Sequence, residues 1–343
     1  MKKLLKVLGF LAAALVATVA GVAILLVATA ERPARPVAID QVVARIPGQR
    51  PVRVTLFYPT RSKPRLVWTG AGFSLVASRG EMAPGRRPLV ILSHGTGASP
   101  ISHIDTALKL AEAGYVVAAP LHGGDNFADQ SAVGGPDWIQ GRARDLATTA
   151  DFLLGRWDRR TGLDSGRVGV FGFSAGGVTA LVAAGAKPDL TLIGPQCKQR
   201  PEFVCQLYGK SAAAAPGEPA WTATPAIRAA VIVAPGLGFT LPPERLSGVA
   251  VPVQLWQGEA DVNVPPAANA EVVRRGLKTP VDYRLTPGAG HFSFLAPCTL
   301  VAKVLMPRML CADHPGFDRA AFHGRFNAAV VAFFDRTLGV RRP

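Results

Sequence analysis

Short apolar runs alternate with helical stretches along most of the chain, and this alternation constrains the fold more than any other feature. Continuous apolar runs of this length are typical of strands buried on both faces of a sheet. They occupy residues 88–95, 115–122, 167–174, 227–235 and 251–258, with a further strand at 281–287. Helical patterns are found at 101–113, 138–155, 175–186, 266–277 and 319–338. Strands that alternate with helices favour an α/β fold, with a mostly parallel sheet and helices on both faces.

Three segments depart from this alternation. Residues 52–59 (VRVTLFYP) alternate with the period of two that a half-buried strand requires, which predicts an early edge strand. Residues 65–87 are rich in turn residues and predict a hairpin or excursion. Residues 187–224 contain several prolines and the run SAAAAPGEPA, which predicts an inserted cap or lid. We therefore expect one α/β domain over residues 37–340 that carries this cap.

The first 30 residues predict an export signal. Lys2, Lys3 and Lys6 precede an uncharged run over residues 7–30 that ends in ATA, which resembles a signal-peptidase site. A run of 24 residues is also long enough to span a bilayer. Residues 1–30 are therefore expected to be a cleaved signal peptide or an N-terminal membrane anchor. Because the basic residues come first, the rest of the chain should be periplasmic or extracellular.

The four cysteines are even in number, which indicates disulfides in an exported chain. They are Cys197, Cys205, Cys298 and Cys311, and the sequence leaves all three pairings open. The local pairing, Cys197 with Cys205 and Cys298 with Cys311, would close two short loops. The spacings do not match the C-x₂₋₄-C pairs of a zinc site, so no metal is expected.

The formal charge of +15 does not indicate nucleic-acid binding. Such binding would need basic residues clustered on one face together with aromatic residues. The arginines are scattered instead, with only short pairs such as Arg274 and Arg275. The basic charge is therefore expected to belong to a solvated surface.

The pentapeptide GFSAG at residues 172–176 lies where a predicted strand meets a predicted helix. Gly172 and Gly176 have no Cβ atoms, so strand and helix can approach closely around a sharp, strained turn. Such a turn is the nucleophile elbow, and it would lift the Ser174 hydroxyl out of the sheet. The N-terminus of the following helix would add free N–H groups. Ser174 is therefore the candidate nucleophile.

A serine hydroxyl at neutral pH needs a base, and in this architecture the chain order is serine, acid, histidine. Of the histidines that follow Ser174, His291 lies in a glycine-rich loop directly after the last predicted strand. It is therefore the candidate base. His314 and His323 are expected to be surface or packing residues.

The acid is expected in the loop after the preceding strand, within LWQGEADVNVPP at residues 255–266. Asp261 fits the spacing G-x-x-D-x-x-V-P, which starts at Gly258. It would hold the imidazole of His291 in the correct tautomer and stabilise the imidazolium. Glu259 is the alternative acid.

An oxyanion intermediate needs two backbone N–H donors. Ala175, the residue after the nucleophile, is expected to supply one. The loop SHGTGASP after strand 88–95 is expected to supply the other, from Thr96. His94 should support this loop without a chemical role. Asp125, in HGGDNF, is expected to form a turn, with substrate contact as the alternative.

Six blocks together resemble the α/β-hydrolase superfamily: RVTLFYP, ILSHGTGA, GYVVAAPLHGGDN, FGFSAGG, GEADVNVP and GAGHFSF. They are most similar to the exported predicted dienelactone hydrolases, relatives of platelet-activating-factor acetylhydrolases. The resemblance spans roughly residues 40–338 and is specific at the three candidate catalytic blocks. It implies the α/β-hydrolase fold and a serine carboxylic-ester hydrolase without a cofactor. A true dienelactone hydrolase has a cysteine nucleophile where this chain has Ser174, so the family name does not define the substrate.

The expected reaction is acyl transfer to water through an acyl-enzyme, on small or short-acyl esters. A serine peptidase or amidase that uses the same residues is the first alternative. The second is a non-catalytic cell-envelope binding protein on a hydrolase scaffold, although the intact set of three residues argues against it. The segments 187–224 and 65–87 should shape the pocket, and they leave lipid and polyester substrates open.

Overall fold

The computed structural model describes residues 2–70, 72–208 and 220–339. It begins with helix α1 (Lys2–Ala28), whose described side chains are mostly exposed. Among the described helices, only this one is long and apolar enough to cross a membrane, over Leu5–Ala28. A signal sequence near an N-terminus has the same properties. The helix is therefore compatible with a signal peptide or an anchor.

The strands of the described residues form a single ten-stranded sheet with the order β10-β9-β8-β7-β5-β6-β2-β1-β4-β3. Neighbours from β10 through to β6 are parallel, whereas β2 is antiparallel to both β6 and β1. The strands are β1 (Val37–Ala44), β2 (Val52–Pro59), β3 (Arg65–Trp68), β4 (Phe73–Ser78), β5 (Arg87–Ser93), β6 (Val116–Pro120), β7 (Leu163–Phe173), β8 (Ile227–Val233), β9 (Val253–Gly258) and β10 (Val281–Thr286).

The remaining helices lie along and around this sheet. They are α2 (Ile104–Glu112), α3 (Trp138–Gly155), α4 (Ala175–Ala183), α5 (Ile193–Gln199), α6 (Phe203–Tyr208), α7 (Ala270–Gly276), α8 (Leu300–Leu305), α9 (Arg308–Cys311) and α10 (Arg319–Thr337). The N-terminus of α10 is capped by Asp318, whose carboxylate accepts a hydrogen bond from the Ala321 N–H at 3.0 Å.

Alternate side chains of the strands divide the core into two layers. Leu89 and Ile91 of β5 belong to a cluster that contains α3 and α4, whereas Val90 and Leu92 belong to one that contains α2 and α10. A strand side chain points to the opposite face from its neighbour, so a continuous apolar run serves both layers. The sequence prediction of an α/β fold with a mostly parallel sheet and helices on both faces is confirmed.

The antiparallel end of the sheet differs from the prediction. Strand β2 has the predicted bounds, 52–59, but it lies between β6 and β1, so it is not an edge strand. Strand β1 was not predicted, because the polar Asp40 and Gln41 interrupt its apolar pattern. Strands β3 and β4 pair as an antiparallel hairpin, as expected for residues 65–87. The hairpin, rather than β2, forms this edge of the sheet.

The predicted cap at 187–224 contains α5 and α6, which the disulfide Cys197–Cys205 joins. Most of the small-residue run SAAAAPGEPA lies outside the described residues, as does the remainder of 209–219. A second disulfide joins Cys298 to Cys311 and closes the segment that carries α8 and α9. Of the three open pairings, the structure therefore has the local one. Both disulfides accord with an exported protein.

Candidate active site

Ser174 lies in the sharp turn between β7 and α4, with backbone φ 56° and ψ −120°. A positive φ is costly for a residue with a Cβ atom, by about 1–3 kcal/mol, and persists only where the surrounding structure enforces it. The Ser174 N–H donates to the Val233 carbonyl at 2.9 Å, and its own carbonyl accepts from the Gly236 N–H at 3.0 Å. The neighbouring strand end and the loop after it therefore hold the turn.

Two glycines on either side of Ser174 make the turn sterically feasible. A Cβ atom on Gly172 would lie 2.0 Å from the Gly176 carbonyl oxygen. A Cβ atom on Gly176 would lie 2.0 Å from the carbonyl oxygen of Ser93 in β5. Both contacts are with backbone, which cannot move aside as a flexible side chain can. The chain therefore needs glycine at these positions for the close approach of strand and helix.

The imidazole of His291 bridges the Ser174 hydroxyl and a carboxylate. Its Nε2 lies 3.0 Å from Ser174 Oγ, and its Nδ1 lies 2.7 Å from Asp261 Oδ2. His291 follows β10 and Asp261 follows β9, so both reach the same edge of the sheet as the nucleophile. The ring of Phe173 lies 4.8 Å from that of His291, centroid to centroid. The structure thus brings together the three side chains that the sequence selected.

Asp261 is buried and fixed by its own loop. Its Oδ1 accepts hydrogen bonds from the N–H groups of Asn263 at 3.0 Å and Val264 at 2.8 Å. The amide of Gln257 donates to Oδ2 at 3.2 Å. The alternative acid, Glu259, is exposed and accepts from the Gly288 N–H instead. These contacts leave Asp261 Oδ2 directed at the imidazole.

The two predicted oxyanion donors flank Ser174. Ala175 begins α4, and Thr96 follows Gly95, whose ideal Cβ position is 3.4 Å from the Cβ of Ser174. Within the described residues, neither the Thr96 N–H nor the Ala175 N–H donates a hydrogen bond to the protein. Both groups are therefore free to bind an oxygen atom, and their assignment as the oxyanion hole stays a prediction.

His94 is completely buried beneath this loop. Its Nδ1 donates to the Gly95 carbonyl at 2.8 Å, and its Nε2 accepts from the His122 N–H at 3.3 Å. Burial lowers the pKa of His94 well below its ordinary value, and the nearby His122 and Arg142 add to this effect. The ring is therefore neutral and holds one tautomer. These contacts agree with the expected supporting role.

Asp125 belongs to a buried ion pair that the sequence analysis did not foresee. Its Oδ2 lies 2.5 Å from Nη1 of Arg142, a side chain only 1% exposed. Its Oδ1 accepts from the Gly97 N–H at 2.7 Å, and Oδ2 also accepts from the indole of Trp138. The Asp125 N–H closes a turn on the His122 carbonyl at 3.4 Å, as expected. The alternative, substrate contact, does not describe the carboxylate, which is fully buried and bonded to protein groups. In the sequence, the only feature that points to this pair is an aspartate after a strand together with an arginine on the next helix.

Arg142 also contacts the end of β5 and helix α4, near Ser174. Its guanidinium donates to the His94 carbonyl and, at 3.1 Å, to the hydroxyl of Thr179 in α4. Burial lowers the pKa of Arg142, while Asp125 opposes that change. A charge buried in this way needs its partner, since an unpaired ion in the interior is costly. Arg142 and Asp125 together fix the loop that carries Thr96.

A second buried histidine supports the turn that carries His291. His323 lies 2.6 Å from Asp105 through Nδ1, and its Nε2 donates to the Ser293 carbonyl at 2.9 Å. Burial raises the pKa of Asp105, but the charge and hydrogen bond of His323 outweigh it, so the net pKa is lowered. His323 is thus a packing residue, as expected, and His314 is exposed beside Gly290.

The described residues contain no group of three or more histidine, cysteine, aspartate or glutamate side chains that could hold a metal ion. The arrangement around Ser174 brings together a hydroxyl, an imidazole with a hydrogen-bonded carboxylate, and free N–H donors. A set of this chemistry is the kind that nucleophilic acyl transfer requires.

A family model for the dienelactone hydrolase family matches residues 76–192. Over these residues, about a third of its length, the chain resembles dienelactone hydrolases. This match supports hydrolase activity. No curated protein sequence matches the chain significantly.

Solved structures share the fold of this chain. A ferulic acid esterase from Streptomyces cinnamoneus superposes with a TM-score of 0.64 at 22% identity, over 91% of this chain and 94% of the esterase. A dienelactone hydrolase from Anabaena variabilis gives 0.50 at 18% identity, over 87% and 97%. A puromycin-hydrolyzing peptidase from Mycobacterium tuberculosis gives 0.50 at 18% identity, over 88% of this chain and 40% of the peptidase. At these identities the likeness establishes the fold alone.

Proposed function

We propose that this chain is a serine carboxylic-ester hydrolase. The observation that carries the proposal is the continuous hydrogen-bonded path from Ser174 Oγ through His291 to Asp261, with distances of 3.0 Å and 2.7 Å. These distances lie within the range that a proton transfer to a general base requires. The ferulic acid esterase among the structural neighbours supports an ester as the bond that is cleaved.

The reaction would proceed in two halves. His291 accepts the proton of Ser174 as Oγ forms a bond to the ester carbonyl carbon, and the N–H groups of Thr96 and Ala175 stabilise the oxyanion. His291 then gives its proton to the leaving alcohol, and the C–O bond of the ester breaks to leave an acyl-serine. Water attacks the acyl-serine with His291 again as the base, which releases the carboxylic acid and restores the hydroxyl. Asp261 stabilises the imidazolium in both halves.

The test is hydrolysis of a p-nitrophenyl ester series of increasing acyl length by the full-length protein. Ser174→Ala should lower kcat on the order of 10⁶-fold, the effect of removing the nucleophile in a comparable set of residues. Ser247→Ala, at an exposed serine, and His314→Ala are the matched controls and should hydrolyse the esters normally. Equal rates for Ser174→Ala and the unmodified protein would rule out the proposed mechanism.

Two further measurements separate the alternatives. A serine peptidase or amidase would turn over a p-nitroanilide readily, whereas an esterase should hydrolyse the anilide only slowly. A fluorophosphonate probe should label Ser174, which would exclude a non-catalytic binding protein. Methyl ferulate, added to the series, tests whether the pocket accepts an aromatic acyl group. Small or short-acyl esters remain the expected substrates.

A further inference from the structure

Helices α8 and α9 expose large apolar side chains in place of burying them. Val304 is 82% exposed, and Leu305 is 73% exposed. The other exposed apolar residues of this segment are Leu300, Met306 and Met309. Soluble proteins rarely expose a contiguous apolar patch of this kind without a partner. The Cys298–Cys311 disulfide closes the segment, so it is a fixed element of the fold.

The hairpin β3–β4 has a second exposed apolar face. Leu66 pairs with Leu75 across the strands, and Trp68 pairs with Phe73. Directly paired residues point to the same side of the sheet. Leu66, Trp68 and Leu75 are more than one third exposed, with Trp68 at 48%. The hairpin forms one edge of the sheet, and no strand of the described residues pairs with the outer side of β3.

The start of α8 and the end of α1 both lie against the hairpin. A Cβ atom on Gly72, in the hairpin, would lie 2.8 Å from the side chain of Thr299, the N-cap of α8. The backbone of Glu31, three residues beyond α1, forms an isolated β-bridge with Ser74 of the hairpin, and the Glu31 N–H donates to the Phe73 carbonyl at 2.9 Å. The chain therefore leaves its candidate membrane span beside this surface. Together with the neighbouring cations described next, these exposed side chains are called the basic apolar face: Leu66, Trp68, Leu75, Leu300, Val304, Leu305, Met306 and Met309.

The charges on these segments have one sign. Residues 61–78 and 299–310 contain no aspartate or glutamate. Their cations are Arg61, Lys63, Arg65, Lys303 and Arg308. In the described part of the chain, none of these five forms a salt bridge with a carboxylate. An apolar surface that carries unpaired cations suits the interface of an anionic bilayer.

We propose that the basic apolar face docks on the surface of an anionic phospholipid bilayer. Each basic side chain near such a surface raises the membrane affinity about five-fold, and the apolar side chains enter the acyl boundary. The indole of Trp68 occupies the headgroup level that this side chain prefers. A second copy of the chain fits less well, because a two-fold contact would place cations against cations. Helix α9 packs on the turn that carries His291, so docking brings the site close to the membrane.

The test uses the full-length chain in proteoliposomes that contain brominated phosphatidylcholine, with or without phosphatidylglycerol. Bromine quenches tryptophan fluorescence only at lipid contact, and Trp68→Phe identifies the contribution of Trp68. We expect the brominated lipid to quench the fluorescence of Trp68, so this part of the quenching should be absent in Trp68→Phe. It should be stronger in membranes that contain phosphatidylglycerol. Val304→Asp with Leu305→Asp should lower it on the order of two-fold or more, because a carboxylate is costly within the acyl region. The matched control is Leu285→Asp on β10, an exposed leucine at the opposite edge of the sheet.

Each outcome bears on the proposal without reference to ester hydrolysis. Absence of Trp68 quenching in both membranes would overturn it, and a change of oligomeric state in the Val304→Asp variant would then assign the face to a second copy. Equal quenching with and without phosphatidylglycerol would overturn the role of the cations. Loss of that lipid dependence in Lys303→Gln with Arg308→Gln would support it. Equal loss of quenching in Leu285→Asp would show that the effect is not specific to this face.

Discussion

The buried pair of Arg142 and Asp125 offers the sharpest test of how the fold maintains the candidate site. Replacing Arg142 with methionine keeps most of the side-chain volume and removes the guanidinium. The Asp125 carboxylate would remain buried with only the Gly97 and Trp138 donors. The carbonyl of His94 and the hydroxyl of Thr179 would also lose their donor. The loop that carries Thr96 should then shift.

The cost can be estimated from the burial of the pair. Arg142 is 1% exposed and Asp125 is 0% exposed, so water cannot replace the lost partner. Breaking such a pair by removing one member costs about 3–5 kcal/mol of unfolding free energy. A displacement of the loop by about 1 Å should lower kcat about 100-fold. KM should change little, because an oxyanion donor acts mainly in the transition state.

Urea denaturation and ester kinetics measure the two effects on the same preparation. Arg142→Met combined with Asp125→Asn should be less destabilised than Arg142→Met alone, because the carboxylate without a partner is gone. Arg274→Met, which removes an exposed partner of Glu271, is the control and should leave the urea midpoint unchanged. A midpoint and a kcat for Arg142→Met equal to those of the unmodified protein would refute the reasoning.

Two more predictions concern the elbow and the response to acid. Gly176→Ala should abolish activity and destabilise the fold, because its Cβ would lie 2.0 Å from the Ser93 carbonyl oxygen. The control is Gly324→Ala, in an open part of α10, which should stabilise the fold by about 0.5–1 kcal/mol. Burial lowers the pKa of His103 to about 4 from its ordinary 6.5. As the pH falls below 6.5, the unfolded chain therefore protonates His103 before the folded chain does. At pH 4 the free energy of unfolding should be about 3 kcal/mol smaller because of His103.

Denaturation at several pH values checks the last prediction. His103→Phe should keep the ring contacts with Phe171 and Phe173 and lose this part of the acid sensitivity. Parallel stability curves for the two proteins between pH 7 and pH 4 would contradict it. For the elbow, full ester turnover by Gly176→Ala would show that the turn tolerates a Cβ atom.

The residues at the strand ends could be chosen from the sequence because the fold imposes their position. Parallel strands direct their carboxyl ends to one edge, so Ser174, Asp261 and His291 had to lie at that edge once their strands were identified. The same rule placed the loop that carries Thr96 beside Ser174. The local signal was strong, since glycines flanked the serine at a junction between strand and helix.

The supporting residues could not be predicted, because they depend on contacts between distant parts of the chain. Asp105 and His323 are 218 residues apart, and no local pattern connects them. Arg142 lies on a helix, where an arginine ordinarily indicates a solvated surface. Strand β1 was missed for a similar reason, since its polar residues are accommodated only through pairing with β2. The Asp105–His323 contact, the burial of Arg142 and the pairing of β1 all depend on tertiary contacts.

The order of the catalytic groups along the chain has a consequence for when they can act. The candidate nucleophile Ser174 and the candidate base His291 are 117 residues apart, and α10, which packs Phe322 and Phe326 against Trp256, follows both. During synthesis the Ser174 hydroxyl is therefore made well before the imidazole that is proposed to activate it. A fragment that ends before α10 contains both side chains but lacks His323, whose Nε2 donates to the Ser293 carbonyl two residues after His291, so the turn that carries the imidazole would lose this support.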